Sequence, residues 1–323
     1  MRPPILLVLS AGLVLISVIL GLSLGSASLG GIEVFSALLG QTKGLAFEII
    51  WRLRAPRVIS AFACGGLLAL SGALLQALLR NALADSYILG VSGGAALGSL
   101  LAIFFGLGGI LMHLTSLLGA LGAIAMVFLI SFRQAGWNMD RLILCGVVLS
   151  SGLSALCSLI LVLAPGIQVK GMLFWLMGDL SYADQPGLAF VVLLFVFGLS
   201  MSLSSPLDLM GLGEAKARSL GVRWRGAQIG LFLAAAFATV AAVILGGAIG
   251  FVGLMVPHAI RLMGVRHHRF LLPAAVLIGG SFLVIADTGA RTLWAPQQLP
   301  VGVFTALMGV PFMLWLLMRS KRA

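Results

Sequence analysis

Apolar runs about as long as a lipid bilayer is thick recur along the whole of this 323-residue sequence. A helix needs roughly 20 consecutive apolar residues to cross the hydrocarbon core, because it rises only about 1.5 Å per residue. Such runs lie near residues 5–24, 58–79, 88–107, 111–132, 142–164, 187–203, 227–246, 248–263, 271–290 and 301–318. The sequence therefore predicts an all-α, polytopic membrane protein of about ten transmembrane helices.

Composition supports this class and excludes others. Hydrophobic residues make up 61% of the chain and charged residues 9%, whereas soluble domains carry roughly 25% charged residues. The apolar runs continue from end to end, so we expect one transmembrane domain over residues 1–323. The net charge of +11 is spread in short clusters between the runs. Because no dense basic face results, we expect contact with membrane lipid and not with nucleic acid.

The basic residues are divided unequally between the two sides of the membrane. With the N-terminus inside and ten crossings, 14 of the 20 Lys and Arg residues fall on the inner side. This bias predicts that both termini are cytoplasmic. The six outer basic residues are Lys43, Arg52, Arg54, Arg57, Lys170 and Arg291. Three of them crowd together at 52–57 against the rule, which favours a functional explanation.

Three local features refine the prediction. The run at 5–24 exceeds a usual signal-peptide core and no clear cleavage site follows, so we expect a retained first helix. The run at 248–263 is short and contains Pro257, which predicts a broken or partly re-entrant helix. The segment 70–74 resembles 245–249; if this weak similarity is not chance, it predicts an inverted repeat of the kind found in transporters.

One inner loop, at about 204–226, is longer than the others. Its stretch from Glu214 to Leu220 has the pattern of a short helix, with the acidic residue first, basic residues later and Gly221 placed as the C-terminal cap. A helix of about two turns is marginal alone in water. We therefore expect it to dock on a partner.

The pattern Gly213-Glu214-Ala215-x-Ala217-x-x-Leu220-Gly221 resembles the coupling loop of the FecCD-type permeases, the membrane subunits of type II ABC importers for iron-siderophores, haem and cobalamin. Further motifs in family order are Arg54-Ala-Pro-Arg57, Gly66 to Gln76, Arg80-Asn81-Ala-Leu83-Ala84-Asp85, Leu89 to Ala95, Trp175-Leu-Met-Gly178, Gly247 to His258, Ala286-Asp287, Leu299-Pro-Val-Gly302 and Gly309-Val-Pro311. The resemblance covers nearly the whole chain.

The resemblance implies partners and a location. The chain would be a permease of the bacterial inner membrane that pairs with a second permease copy, as a homodimer or with a sister chain. An ABC ATPase subunit would bind the coupling loop. The sequence has no G-x-x-x-x-G-K-[ST] motif, so we expect no ATP hydrolysis by this chain and no cofactor. A periplasmic substrate-binding protein would deliver the cargo.

The resemblance also implies site residues. Those of the ATPase-coupling site are Gly213, Glu214, Ala217, Arg218, Leu220 and Gly221. Arg54, Arg57 and Arg291 would pair with acidic residues of the binding protein; headgroup binding is the alternative. Asn81 and Leu83 would form a gate on the path. Ala82 and Ser86 replace two prolines of the family pattern, which predicts a less rigid turn around this gate.

The remaining polar residues give no support to two other functional classes, an ion-driven secondary transporter and an intramembrane enzyme. Asp287 is the one acidic residue well inside an apolar run, and Arg291 four residues on predicts a helical ion pair. No histidine cluster has metal-ligand spacing, so we predict no metal site. An ion-driven secondary transporter would need more intramembrane carboxylates, and an intramembrane enzyme a Ser/His pair or H-E-x-x-H. The substrate, whether siderophore, cobalamin or haem, stays open.

Overall fold

The structure, a computed structural model, describes residues 2–25, 29, 31–40, 44–132, 139–182 and 185–320. Within these residues the α-helices are α1 (Pro3–Ser23), α2 (Gly31–Leu38), α3 (Leu45–Glu48), α4 (Ala55–Leu78), α5 (Val91–Phe104), α6 (Ile110–Phe132), α7 (Met139–Leu163), α8 (Gly166–Leu176), α9 (Pro186–Ser202), α10 (Ser204–Met210), α11 (Glu214–Ser219), α12 (Trp224–Gly246), α13 (Val252–Leu262), α14 (His268–Thr292) and α15 (Val301–Ser320). A π-helical stretch, Ile49–Arg54, joins α3 to α4. The predicted outer charge at Lys43 lies outside the described residues.

Each of the ten predicted apolar runs coincides with one of these helices, so the all-α polytopic class is confirmed. Among the described residues, six helical stretches are long and apolar enough to span a membrane alone, and α9 with α10 forms a seventh, bent by 49°. The other three runs correspond to α5 and α13, which are shorter than a full span, and to α15, which has 20 residues. The chain thus contains spans of two kinds, complete and short.

Helix α4 lies at the centre of the bundle. The most apolar window of the stretch Leu45–Leu78 is 89% buried, against 17% for α7 at the periphery. α4 packs against α9, α12, α13 and α14. Small residues permit this, since a Cβ at Gly65 or Gly72 would collide with the backbone of α14 or α13. Small residues let helix backbones approach closely in lipid.

Two glycine pairs with the four-residue spacing of a helix packing motif differ in what they contact. A Cβ at Gly94 or Gly98 would strike backbone atoms of α6, so this motif sets the α5–α6 contact. A Cβ at Gly226 or Gly230 would meet at most a side-chain atom 3.9 Å away. The pair Gly94 and Gly98 therefore holds two helices together, whereas the pair Gly226 and Gly230 does not.

Helices α5 and α13 are too short to cross the bilayer. They have 14 and 11 residues, which at ~1.5 Å per residue span roughly 21 and 17 Å of a core about 30 Å thick. α5 follows a 3₁₀ turn at Ser86–Leu89, and α13 follows the left-handed residues Gly247 and Phe251. The prediction of a broken span at 248–263 is confirmed. The run at 88–107, expected to be a full span, is helical only from 91 to 104.

The two short helices begin close together, beside the middle of α4. The Tyr87 hydroxyl donates to the Ile249 carbonyl over 2.8 Å. The side chain of Ser86 lies against Gly253, in the first turn of α13, which also packs on Leu68 of α4. Irregular backbone at membrane depth is tolerated where protein buries it. The segment 70–74 lies within α4, whereas 245–249 crosses the end of α12, so the inverted repeat stays a prediction.

Candidate functional sites at the two ends of the bundle

Helix α11 forms the tip of the long loop between α10 and α12. It spans Glu214–Ser219, one residue shorter than predicted, and two left-handed glycines flank it, Gly213 with φ 102° and Gly221 with φ 86°. Such φ angles favour glycine, which has no Cβ. The Gly221 and Val222 N–H groups donate to the carbonyls of Arg218 and Ala217, closing the helix. The predicted C-terminal glycine cap is confirmed.

One face of α11 is seated on the bundle and the opposite face is exposed. Ala217 is fully buried, which fixes the helix against its own protein. The Glu214 and Arg218 side chains are 51% and 62% exposed and form an ion pair of 2.6 Å one turn apart. Leu220 is 53% exposed beside them. The helix thus presents two paired charges and an apolar side chain outward, a surface suited to a protein partner. We call the end of the bundle that carries α11 the loop end.

Helix α10 ties the long loop to α14. The Asp208 carboxylate accepts from the His268 backbone N–H over 3.0 Å and lies 2.7 Å from Nδ1 of the same residue. His268 is the first residue of α14, so Asp208 supplies an acceptor from another helix to one of the first N–H groups, which have no partner within α14. Asp208 and His268 lie 60 residues apart, and no local sequence pattern indicates this pairing.

The gate residues predicted from the resemblance lie in a compact turn after α4, at the loop end. Asn81 Oδ1 accepts from the Leu83 N–H over 2.9 Å, and the Asn81 carbonyl accepts from Ala84 over 3.1 Å. Leu83 is 46% exposed. These bonds restrain the turn in the absence of the family's prolines, since an Asx bond fixes local backbone as a proline would. Their gating role stays a prediction.

A buried polar network joins this turn to α13. Gln76 is 3% exposed, and its Nε2 donates to the carbonyls of Ala84, Gly253 and Leu254 over 3.0–3.3 Å. Its Oε1 accepts from Arg261. The carboxamide therefore bonds from α4 across to α13.

The opposite end of the bundle, which we call the arginine end, carries Arg54, Arg57 and Arg291. Asp287 lies between two of these guanidinium groups and is 1% exposed. Arg57 donates to its carboxylate over 2.9–3.1 Å, and Arg291 Nε lies 2.9 Å from Oδ2. The predicted helical pair of Asp287 and Arg291 is confirmed. Arg57 also donates to Ser181 and to Gln298, both over 3.2 Å.

Arg54 is turned inward too. It is 3% exposed and its Nη1 donates to the carbonyls of Leu22 and Ser23, at the end of α1, over 2.8 and 2.7 Å. The last carbonyls of a helix have no partner within it. Arg54 therefore caps α1.

The predicted docking residues are thus engaged within this chain. Arg54 and Arg291 are 3% and 6% exposed, and the Arg57 side chain is 15% exposed. Arg52, next to them in sequence, has a side chain 77% exposed and pairs with Glu48 over 2.8 Å. Arg52 is therefore the arginine of the 52–57 cluster that a partner protein reaches without rearrangement. The docking role of the other three stays a prediction.

Comparison with known proteins places the chain in a family. The FecCD transport family matches residues 13–319. The hemin transport system permease protein HmuU of Yersinia pestis is 38% identical over 97% of this chain and 96% of its own length. The vitamin B12 import system permease protein BtuC of Klebsiella pneumoniae is 38% identical over 86% and 84%. An uncharacterized ABC transporter permease protein of Bacillus subtilis, YvrB, is 36% identical over 95% and 91%.

The fold agrees with these relatives. A solved structure described as "an inward-facing conformation of a putative metal-chelate type ABC transporter" superimposes with a TM-score of 0.83, at 32% identity, over 98% of this chain and 99% of that chain. The family model and the superposition both cover almost the whole length of the chain. The chain therefore belongs to the FecCD transport family, a family of transmembrane ABC permeases.

Proposed function

We propose that this chain is the membrane-spanning permease subunit of an ATP-driven ABC importer that carries an iron-siderophore, or a related large metal chelate such as cobalamin or haem, from periplasm to cytoplasm. The observation that carries the proposal is α11, a short helix seated by buried Ala217 with Glu214, Arg218 and Leu220 outward. A two-turn helix with one face seated on the bundle and the opposite face exposed is an attachment point for another protein.

The partner at the loop end is an ABC ATPase subunit. A groove of that subunit receives α11, and opposite charges in the groove orient the helix through Glu214 and Arg218. The loop end is then cytoplasmic, together with both termini, which agrees with the excess of basic residues on that side. The chain itself has no phosphate-binding G-x-x-x-x-G-K-[ST] loop, so the ATPase supplies the hydrolysis.

The second partner in the membrane is another copy of this chain. Helix α7 has only 17% of its apolar window buried, and it carries an exposed stripe of small residues, Ser151, Ser154, Ala155 and Ser158. The Ser151 and Ser158 hydroxyls donate to carbonyls four residues back, so they leave no unsatisfied group in an apolar contact. Small residues favour close helix contacts in lipid. A large chelate needs a wide path, which two copies enclose between them.

The third partner, a periplasmic binding protein loaded with chelate, docks at the arginine end. Arg52 offers an exposed guanidinium there, and guanidinium groups bind carboxylates through two parallel hydrogen bonds. Docking by Arg54, Arg57 or Arg291 requires those side chains to exchange an internal partner for an external one.

Glu214→Arg tests the proposal at its central point. The substitution places a positive charge beside Arg218 and removes the pair, so we expect the ATPase to co-purify poorly with a permease that still inserts. Uptake of ferric siderophore, cyanocobalamin or haemin into proteoliposomes containing the complex and the loaded binding protein should fall in parallel. The matched control is Glu48→Arg, which breaks the equally spaced exposed pair with Arg52 at the other end. Glu48→Arg should leave ATPase binding unchanged.

The outcomes separate the proposal from its rival. Normal ATPase co-purification and normal uptake by the Glu214→Arg variant would defeat the coupling role. Uptake by the chain alone, without ATPase and driven by a proton or sodium gradient, would favour a secondary transporter. Two differently tagged copies that fail to co-purify would argue against the homodimer.

A further inference from the structure

Arg80 holds an unusual position between the long loop and the gate turn. It lies two residues after the end of α4 and is one of two non-glycine residues in the described part of the chain with positive φ, at 49°. Side chains at such angles are uncommon, since Cβ crowds the backbone, and they persist where surrounding contacts impose them. The next residue, Asn81, opens the predicted gate turn. The contacts of the Arg80 side chain therefore bear on where that turn lies.

The Arg80 guanidinium contacts both ends of the long loop. Its Nη2 donates to the Met210 carbonyl over 3.1 Å, where α10 ends and the loop leaves the bundle. Its carbon Cζ lies 5.2 Å from the centre of the Trp224 ring, where the loop returns as the first residue of α12. A cation over an aromatic face within about 6 Å is attracted by the ring. The Arg80 side chain thus contacts both points at which the loop that carries α11 joins the bundle.

Hydrogen bonds hold the elements on either side of Arg80 in place, so a displacement of the long loop can reach the gate turn. On the loop side, Asp208 anchors α10 to α14, and the Val222 N–H donates to the Ala217 carbonyl, joining α11 to the start of α12. On the gate side, Asn81 N–H donates to the Gln76 carbonyl over 3.2 Å, and Asn81 Oδ1 accepts from Leu83. No flexible linker separates Arg80 from the gate turn.

We infer that Arg80 is the positioning residue that couples movement of the long loop to the gate turn at Asn81–Leu83. The inference rests on the proposed function, since the movement would originate in the ATPase bound at α11. When the long loop shifts, Met210 and Trp224, where it leaves and rejoins the bundle, move in the same direction. The guanidinium that bridges them follows and moves the backbone of the next residue. Arg80 acts through the turn and touches no substrate in this account.

The test follows the gate directly and needs no knowledge of the substrate. Leu83→Cys is introduced into a chain whose three cysteines are replaced by alanine, and the complex with the cognate ATPase is reconstituted. The rate at which a water-soluble maleimide labels the new thiol is measured with and without ATP, beside the rate of ATP hydrolysis. Coupling between sites typically amounts to about 5- to 150-fold. We therefore expect an ATP-dependent change of at least about fivefold with Arg80 present.

The Arg80→Ala variant should lose this change while it still binds the ATPase and hydrolyses ATP. Arg80→Lys, which keeps a cation and a donor, should restore part of it. The matched control is Arg269→Ala, which removes an exposed arginine at the start of α14 and should respond to ATP as the parent does. A merely structural role would lower expression or ATPase binding and would not separate hydrolysis from gate movement.

A second pair of variants keeps the test decisive if Arg80→Ala does not fold. Trp224→Phe keeps an aromatic face, and Trp224→Leu keeps only apolar volume. The first should retain the ATP-dependent change and the second should lose most of it. Equal responses in these two variants, or a full response in Arg80→Ala, would overturn the inference. Loss of ATPase binding in Arg80→Ala would also overturn it, because Arg80 would then be needed for assembly with the ATPase and not for the coupling step alone. A parent chain that binds no ATPase would instead overturn the proposed function, and the inference with it.

Discussion

Two ion pairs of the same spacing make a matched experiment on what burial does to a charge. Arg291 and Asp287 lie four residues apart on α14, with side chains 7% and 1% exposed and a separation of 2.9 Å. Arg52 and Glu48 lie four residues apart at the same end, 77% and 48% exposed, at 2.8 Å. The sequence spacing and the distance between the charged groups are therefore nearly equal, whereas the burial of the two pairs differs widely. We predict that Asp287→Asn destabilises the protein far more than Glu48→Gln.

The magnitude follows from what each substitution leaves behind. Asparagine keeps the shape of Asp287 but removes the charge that faces both Arg57 and Arg291. Removing one partner of a buried pair typically costs about 3–5 kcal/mol, because the other charge stays buried without compensation. Arg57 retains Ser181 and Gln298 as acceptors, which favours the lower part of that range. Breaking an exposed pair costs roughly 0–1 kcal/mol.

Thermal unfolding of the purified variants in one detergent measures the difference. The midpoint temperature of Asp287→Asn should fall well below that of Glu48→Gln, and both should be compared with the parent chain. Adding Arg291→Met to Asp287→Asn should recover part of the loss, since it removes the buried guanidinium that Asp287→Asn leaves without a carboxylate. Equal midpoints for the two single variants, or no recovery in the double variant, would refute the reasoning.

Two further predictions concern packing and docking. Gly98→Ala should lower the unfolding midpoint, because its Cβ would meet the Thr115 carbonyl. The control Gly122→Ala, which has nothing within 4 Å of the new Cβ, should leave the midpoint unchanged or raise it slightly. Equal midpoints for the two variants would contradict the packing role of Gly98. Arg52→Glu should weaken association with the binding protein, more at low salt than at high salt, and unchanged affinity at low salt would argue against docking there. Arg54→Met should instead lower the unfolding midpoint, because it removes the donor to the Leu22 carbonyl.

Local sequence patterns were sufficient to predict much of the secondary structure of this protein. The ten apolar runs predicted the helices because a helix in lipid satisfies its backbone within its own segment. Helix α11 and its glycine cap were readable from Glu214 to Gly221 for the same reason, since capping and charge placement act within a few residues. The pairing of Asp287 with Arg291 followed from a spacing of one helical turn. Each of these features depends on neighbours along the chain.

Contacts between distant segments were decided only by the tertiary structure. The sequence treated Arg54 and Arg57 as outward charges, but α1 and α14 supply carbonyls and a carboxylate that hold them inside. The same is true of Arg80, which meets Met210 about 130 residues on. A guanidinium in lipid surroundings takes whatever acceptor packing brings near, since an unpaired charge there is costly. Hydropathy marks such a residue as near an end of a span, and only the packed bundle determines which partner it finds.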